Sequence, residues 1–392
     1  MKLVFWISLA GIVYTYFGYP LIMWILARLA PKPWKREAIA PSVSIIMAVH
    51  NGADLLVEKI AHLVNLDYAD IREIIIVSDG SSDSTNELLS KEYDPRVKPI
   101  ILEQHAGKAA ALNVGIAAAT SEILLFVDIR PRIAPGAVSQ LVSNFADLSV
   151  GCVAGELLLH QDGHDETAKA VSGLYWRYEQ WIRNCEAQWD SPVGVYGGFY
   201  AIRRELATSF PAGIILDDMF QPLAIIRKGY RSVLDLQVHV HDTWPRESRR
   251  EFQRKVRTLA GNFELFARAP WALSPRNRVA FQLISHKGMR LVAPYLLIFL
   301  AAASIALASH SLAFAVFAAL QCVVYAIGLL FAESTFSMMR RIAGPANAVI
   351  MMNVASVVGL FRFLFTKGPL LTIWVPAETR NDSESELSAR AN

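Results

Sequence analysis

Residues 121–130 read Ser121-Glu122-Ile123-Leu124-Leu125-Phe126-Val127-Asp128-Ile129-Arg130. Five apolar residues, Ile123 to Val127, run unbroken and stop at an acid. A short apolar run with β-branched and aromatic members is the pattern of a strand buried on both faces, as in a parallel sheet. Ligands of open α/β sheets collect outside the carboxyl ends of such strands, and Asp128 stands at that end. A carboxylate there can hold a divalent metal bridging a diphosphate, because Mg2+ and Mn2+ prefer hard oxygen ligands. An acid there can equally cap a turn or the next helix, and this stretch alone does not separate the two readings.

The same pattern recurs upstream. Ser42 to Val49 reads as a strand that ends at His50-Asn51-Gly52, with a helix from about Leu55. Ile74 to Val77 is a second strand, ending at Ser78-Asp79-Gly80-Ser81-Ser82-Asp83. Gly80 suits a tight turn, and Ser82 or Asp83 can cap the helix that follows. Lys98 to Leu102 is a third strand, and Gln104-His105-Ala106-Gly107-Lys108 leads into an Ala-rich helix from Ala109 to Ala119. This alternation predicts βαβ units and an α/β, Rossmann-like, mostly parallel sheet. Successive strands end in polar turns bearing an acid or a glycine on one edge, and that repetition carries more weight than any one motif.

Downstream, Val150 to Leu157 reads as another strand, and residues 167–190 as a helix rich in Trp and Tyr. Its Tyr175, Trp176, Tyr178 and Trp181 fit packing better than sugar stacking. Val193 to Tyr200 includes Gly197-Gly198, where missing side chains let a substrate approach the backbone. Ile214-Ile215-Leu216-Asp217-Asp218 repeats the apolar-then-acid pattern. Gln237 to His241 alternates, with His239 and His241 on one face. Residues 246–258 form a basic helical stretch.

Hydrophobic residues make up 53% of the 392-residue chain, and its mean hydropathy is +0.31. That is too apolar for an ordinary soluble enzyme and points to a part-membrane protein. A net charge of +3 gives no argument for nucleic acid as a partner. Cys152, Cys185 and Cys322 form no close pair, so neither a disulfide framework nor a zinc site follows. Leu3 to Ala27 carries no charge and is long enough to span a bilayer, too long for a cleaved signal peptide. Arg28, Lys32, Lys35 and Arg36 follow, which places the N-terminus outside and the next segment in the cytoplasm. Leu291 to Ala308 and Leu312 to Ala332 read as an antiparallel membrane pair, with Arg340 and Arg341 again cytoplasmic. Ala346 to Phe361 is shorter and holds Asn347 and Asn353. It crosses, re-enters or lies in the interface. The expected organisation is a membrane helix over 1–30, a catalytic domain over 42–285, a membrane region over 286–376 and a polar tail over 377–392.

The run from Val43 to about Leu265, followed by membrane helices, resembles the inverting family-2 nucleotide-sugar glycosyltransferases of GT-A fold. Within them it is most similar to the membrane-embedded makers of bacterial exopolysaccharides, in the company of cellulose, hyaluronan and poly-N-acetylglucosamine synthases. The resemblance rests on Val77-Ser78-Asp79-Gly80-Ser81-Ser82-Asp83, on Gly107-Lys108-Ala109 with Asn113, on Asp128, and on Asp217-Asp218. It implies that Asp79 contacts the base, and that Lys108 and Asn113 run beside the nucleotide. Ala48, His50 and Asn51 would join them at the donor. Asp128 would be the first acid of the metal-binding Asp-x-Asp motif, and Asp218 the catalytic base. Gly197, Gly198 and Asp217, with Arg254 and Arg257 where processive synthases carry Gln-x-x-Arg-Trp, would serve the acceptor or the diphosphate.

The departures are informative. Arg130 stands where the second metal acid is expected, leaving one protein carboxylate, diphosphate oxygens and water to hold Mg2+ or Mn2+, with His239 or His241 as possible additions. Arg130 can instead pair with a phosphate or an acidic sugar. Arg254 replaces Gln, Thr258 replaces Trp, and Ala48 replaces a common Pro.

The implied reaction is an in-line displacement at the anomeric carbon. An acceptor hydroxyl loses its proton to Asp218 and a nucleoside diphosphate leaves. A metal at Asp128 and cations from Lys108, Arg254 and Arg257 would stabilise the leaving charge. The competing readings are that Asp218 caps a helix from Met219 to Ile226, and that the arginines face anionic lipid. Implied partners are a nucleotide-sugar donor, a UDP-sugar above others, a glycan or lipid-linked acceptor, membrane lipid and export or polymerisation proteins. The implied location is the cytoplasmic membrane, with the catalytic domain in the cytosol. A single-addition transferase and, given Arg130, an inactive membrane scaffold are the alternatives.

Overall fold

The computed structural model describes residues 1–160, 166–243, 248–331 and 337–366. In chain order the elements are α1 (Lys2–Leu29), β1 (Val43–Val49), α2 (Ala53–Val64), β2 (Ile71–Asp79), α3 (Thr85–Leu89) and β3 (Val97–Leu102). Then come α4 (Lys108–Ala118), β4 (Ile123–Val127), β5 (Arg132–Ile133), α5 (Ala137–Ser143), β6 (Val150–His160) and α6 (Glu166–Trp189). They are followed by β7 (Phe199–Arg203), α7 (Asp217–Arg227), β8 (Arg231–Thr243) and α8 (Ser248–Arg268). The chain continues with α9 (Ala280–Leu307), α10 (Leu312–Leu330) and α11 (Ser337–Phe365). Contacts divide these elements into two compact units, one containing Pro33–His160 and Gly194–Thr243, the other Met1–Lys32, Gln161–Val193 and Trp244–Thr366.

The first of these is built on an eight-stranded sheet of order β3-β2-β1-β4-β7-β6-β8-β5. β1 runs parallel to both β2 and β4, and β2 parallel to β3. Ile45, Ile46, Met47, Ile74 to Val77, Leu124 and Leu125 are fully buried. Each such aliphatic side chain stabilises the fold by about 1.5–3 kcal/mol relative to exposure, which is why unbroken apolar runs became the central strands. The α/β expectation holds, with the parallel part of the sheet in β1 to β4, and beyond β4 the sheet becomes mixed. β7 runs antiparallel to β4 and to β6, while β8 is parallel to β6 and β5 antiparallel to β8. The sheet is mixed because β7 enters from a loop at the carboxyl end of β4 and runs back along it. A strand buried on both faces has the same composition in either direction, so local sequence does not encode this. Glu73 is a buried acid within β2. Glu73 accepts from Ser44 Oγ (2.5 Å) and Thr120 N (2.6 Å), and pairs with Lys98 Nζ (2.6 Å).

Among its described residues, the other unit holds four helical stretches long and apolar enough to cross a membrane: α1, α9, α10 and residues Ala343–Phe365 of α11. α1 and α9 pack antiparallel, with Phe5 against Leu300 and Leu307. Each contains a π-helical turn, Tyr14–Gly18 and Leu283–Gly288, and the two meet where Tyr14 Oη lies 2.7 Å from Ser285 Oγ. α6 docks beside them, burying Ile182 and Cys185 against Tyr19, Met23 and Ala27. Its two buried acids are matched. Glu186 Oε1 accepts from Tyr19 Oη (2.5 Å) and lies 2.7 Å from His286 Nδ1, while Glu179 faces His286 Nε2 (3.2 Å) and pairs with Arg290. Tyr178 donates to Tyr16 O (2.6 Å), so it packs as expected. The side chain of Tyr175 lies outside the described residues.

Candidate active site

The carboxyl edge of β1, β2 and β4 gathers most of the predicted site residues, and the turns themselves are tied together. Asn51 has φ +51°, a conformation Asn tolerates better than most residues. Its Oδ1 accepts from Ser82 N (2.8 Å), and its own amide donates to Ser81 Oγ (3.1 Å). Gly80 has φ +59°, and a Cβ there would lie 2.3 Å from His105 N. Only glycine fits that approach. Ala48 is buried within β1.

Asp79 points inward. Its carboxylate is fully buried and accepts from the amides of Ala106 (2.8 Å) and Gly107 (2.8 Å), with His105 Nδ1 at 3.0 Å. Asp79 therefore fixes the loop that opens α4. His50 Nδ1 lies 2.7 Å from Asp79 O, and its ring stands 4.2 Å from that of His105. His105 is a residue the sequence reading passed over, although it sits just before Gly107-Lys108 at the end of β3. Asn113 is also used structurally. It donates to Phe210 O (2.9 Å) and accepts from Phe210 N (2.8 Å), fastening that loop to α4.

Lys108, at the start of α4, lies 3.1 Å from Asp128 Oδ1 and 3.1 Å from Asp217 Oδ2. Burial opposes its charge, but Asp128, Asp217 and Asp218 outweigh burial and hold the ammonium above the usual lysine range. Asp217 and Asp218 occupy the first turn of α7, where the helix dipole favours negative charge. The glycine loop staples that turn to the sheet. Asp128 N donates to Gly198 O (3.1 Å) and Val195 N to Asp218 O (3.0 Å). A Cβ on Gly197 would lie 2.9 Å from Asp218 Cβ, so the close approach predicted for this glycine is made by Asp218 itself.

Arg130 pairs with Asp242 of β8 at 3.4 Å, and Tyr196 donates to the same oxygen at 3.1 Å. Lys59 of α2 is buried beneath this loop and donates to Pro131 O (2.5 Å). Burial pulls its ammonium down to about 8, against the opposing charges of Asp128 and Asp242. Arg254 and Arg257 belong to α8, in the other unit.

Among the described residues no three His, Cys, Asp or Glu side chains converge as a metal site. His239 Nε2 lies 3.0 Å from Leu236 O, and Arg130 is engaged by Asp242. Asp128 is the exposed acid of the cluster, at 42% side-chain exposure against 7% for Asp217. It fits an ion whose other ligands are diphosphate oxygens and water, as Mg2+ usually takes them.

Residues 44–209 match the family described as Glycosyl transferase family 2. The chain is 30% identical over 156 residues to a poly-beta-1,6-N-acetyl-D-glucosamine synthase of Staphylococcus epidermidis, a match covering 35% of this chain and 37% of that protein. It thus spans little more than a third of that relative's length. It is 31% identical over 126 residues to an N-acetylglucosaminyltransferase of Bradyrhizobium elkanii, covering 31% of this chain and 68% of the relative. Among solved structures, a mannosyltransferase from Pyrobaculum calidifontis, in complex with GDP-Man and Mn2+, superposes with a TM-score of 0.72 at 22% identity. That likeness covers 93% of this chain and 100% of the other, and it establishes the GT-A fold.

Proposed function

Because the chain belongs to glycosyl transferase family 2, we propose that it is an inverting transferase that moves a sugar from a UDP-sugar to a growing glycan or lipid-linked acceptor at the cytoplasmic face of a membrane. The observation that carries this reading is Lys108 bridging Asp128 and Asp217 beside Asp218. One cation and three acids, brought from α4, β4 and α7, meet at the sheet edge where nucleotides bind in α/β folds.

In the reaction, Asp218 takes the proton of the acceptor hydroxyl as that oxygen attacks the anomeric carbon. The bond from the anomeric carbon to the diphosphate oxygen breaks on the opposite face, and the nucleoside diphosphate leaves. Lys108 turns from the acids to the diphosphate and stabilises its charge. Mg2+ or Mn2+, when bound through Asp128, supplies further neutralisation of that charge. Asp79 shapes the base side through the loop it fixes, and the paired rings of His50 and His105 with Asn51 border it. Arg130, steadied by Asp242, serves a phosphate or an acidic group of the donor. Gly197 and Gly198 serve the acceptor indirectly, by letting Asp218 and Tyr196 pack closely against the loop beside the catalytic acid. Arg254 and Arg257 serve the acceptor, the diphosphate or anionic lipid. The apolar helices support a membrane location, where lipid and export proteins are the natural partners.

Purified protein in lipid nanodiscs, given a panel of nucleotide sugars headed by UDP-N-acetylglucosamine, tests the proposal. Release of nucleoside diphosphate with a sugar-bearing product seen by mass spectrometry is expected. Product length separates a polymerase from a single-addition enzyme. No release with any donor would leave the scaffold reading in its place.

A further inference from the structure

One helix grips the segment that follows Asp128. Lys59 of α2 donates to Pro131 O (2.5 Å), His62 Nε2 accepts from Ile133 N (3.1 Å), and Glu58 pairs with Arg132. Glu58 and His62 stand four apart and Lys59 three before His62, so neighbouring positions on one helix face hold three consecutive residues. The same helix opens directly after the His50-Asn51-Gly52 turn, with Gly52 as its N-cap. A Cβ on Gly52 would lie 2.7 Å from Ile129 Cδ1, so the side chain between Asp128 and Arg130 rests on that turn. The loop from Asp128 to Pro131 therefore meets α2 twice, at Ile129 through the N-cap and at Pro131 through Lys59.

Of these grips, that of Lys59 calls for a reason. The side chains of Glu58 and Arg132 are more than half exposed, and such a pair contributes little. Lys59 is 5% exposed. Among the described residues, Pro131 O is the one acceptor its ammonium meets. A neutral donor could serve a carbonyl at a far lower desolvation cost than a buried cation. The charge is favoured where negative charge gathers, and Asp128 and Asp242 both act on it in that sense. Asp242 also holds Arg130 at 3.4 Å. The buried ammonium thus anchors the one stretch that carries both Asp128 and Arg130.

We propose that Lys59 is a positioning residue for the donor diphosphate: through Pro131 O it sets the loop that presents Asp128 and Arg130 to the diphosphate. The role rests on the transferase reading, but one of its tests does not. Lys59→Met keeps the length of the side chain and removes both the charge and the donor. It loses a hydrogen bond together with the cost of a buried ammonium, so ligand-free thermal unfolding should shift little. In calorimetry with Mg2+ present, the variant should bind UDP about tenfold more weakly than wild type, the effect of one hydrogen bond to a charged group. Uridine, which lacks the diphosphate, should bind both proteins equally by ligand-observed NMR. Independently of any ligand, amide exchange across residues 128–133 should quicken in the variant, while Leu124 and Leu125 of β4 exchange as in wild type. Wild-type UDP affinity in Lys59→Met, equal weakening of UDP and uridine, or unchanged exchange across residues 128–133 would overturn the assignment. So would a variant that no longer folds, since the lysine would then serve the fold as a whole. If wild-type protein binds neither UDP nor GDP, the transferase reading falls while exchange across residues 128–133 still decides whether Lys59 sets the loop.

Discussion

Lys108 neutralises two acids from different elements, and the adjacent Asp217 and Asp218 differ because of it. Asp217 is the partner of that ammonium, whereas Asp218 packs against Gly197. Asp218→Asn removes a group needed mainly in the transition state. It should lower turnover by ~10²–10⁴-fold with donor affinity nearly intact. Asp217→Asn should cost less turnover. Initial rates beside donor affinity for both variants check this, and an inactive Asp217→Asn with an active Asp218→Asn reverses the roles. Glu73 shows a second use of a buried acid. Burial alone raises its carboxyl, but Lys98, Ser44 and Thr120 outweigh burial and bring it from 4.5 down to about 2. Its folded value lies below its unfolded one, so its contribution is complete above pH 4.5 and is lost as pH falls through about 2. That contribution is at most about 3 kcal/mol. Glu73→Gln should lower the unfolding midpoint at neutral pH and flatten its decline on the acid side, read by thermal unfolding across pH. An unchanged acid slope would show that Glu73 is not the linked group.

Among the elements, α11 shows how contacts qualify composition. Residues Ala343–Phe365 are long and apolar enough to span a bilayer. Yet Gly328 of α10 packs against Ala346 and Asn347, and Gly359 against Leu259 and Ala260 of α8. Ala355 joins a cluster with Val256, Leu259 and Leu291. In the α9–α10 hairpin Gln321 Nε2 reaches Leu297 O, so Gly328 and Leu291 lie at the same end, away from the turn at His310. From Ala346 to Ala355 a helix advances about 14 Å, but Ala346 packs on Gly328 and Ala355 shares a cluster with Leu291, at that one end. α11 should therefore lie along the interface. A cysteine at Thr366 should react with an impermeant probe on the side opposite to one at His310. Equal access from one side would mean that α11 crosses.

For the whole molecule, the charge clusters at Arg28–Arg36 and Arg340–Arg341 set the expected sidedness, with the sheet-bearing unit in the cytoplasm. In a Cys322→Ser background, a cysteine at exposed His310 should label in intact cells, while one at exposed Ser90 should label only after lysis. Ser191 is fully buried and would be a poor probe site. Labelling of the Ser90 variant in intact cells would overturn this topology. Apolar runs closed by polar turns were enough to place β1 to β4, their shared edge and the long apolar helices, because burial and turn chemistry are written in neighbouring residues. Asp128, Lys108 and the Asp217-Asp218 pair were legible for the same reason, each standing at the end of such a run or at the start of a helix. The direction of β7, the inward use of Asp79 and Asn113, the pairing of Arg130 with Asp242, the burial of Tyr200 and the contacts of α11 were decided only in three dimensions. Each depends on which distant segments become neighbours, and strand order and register, unlike periodicity, leave no mark on a local stretch of chain.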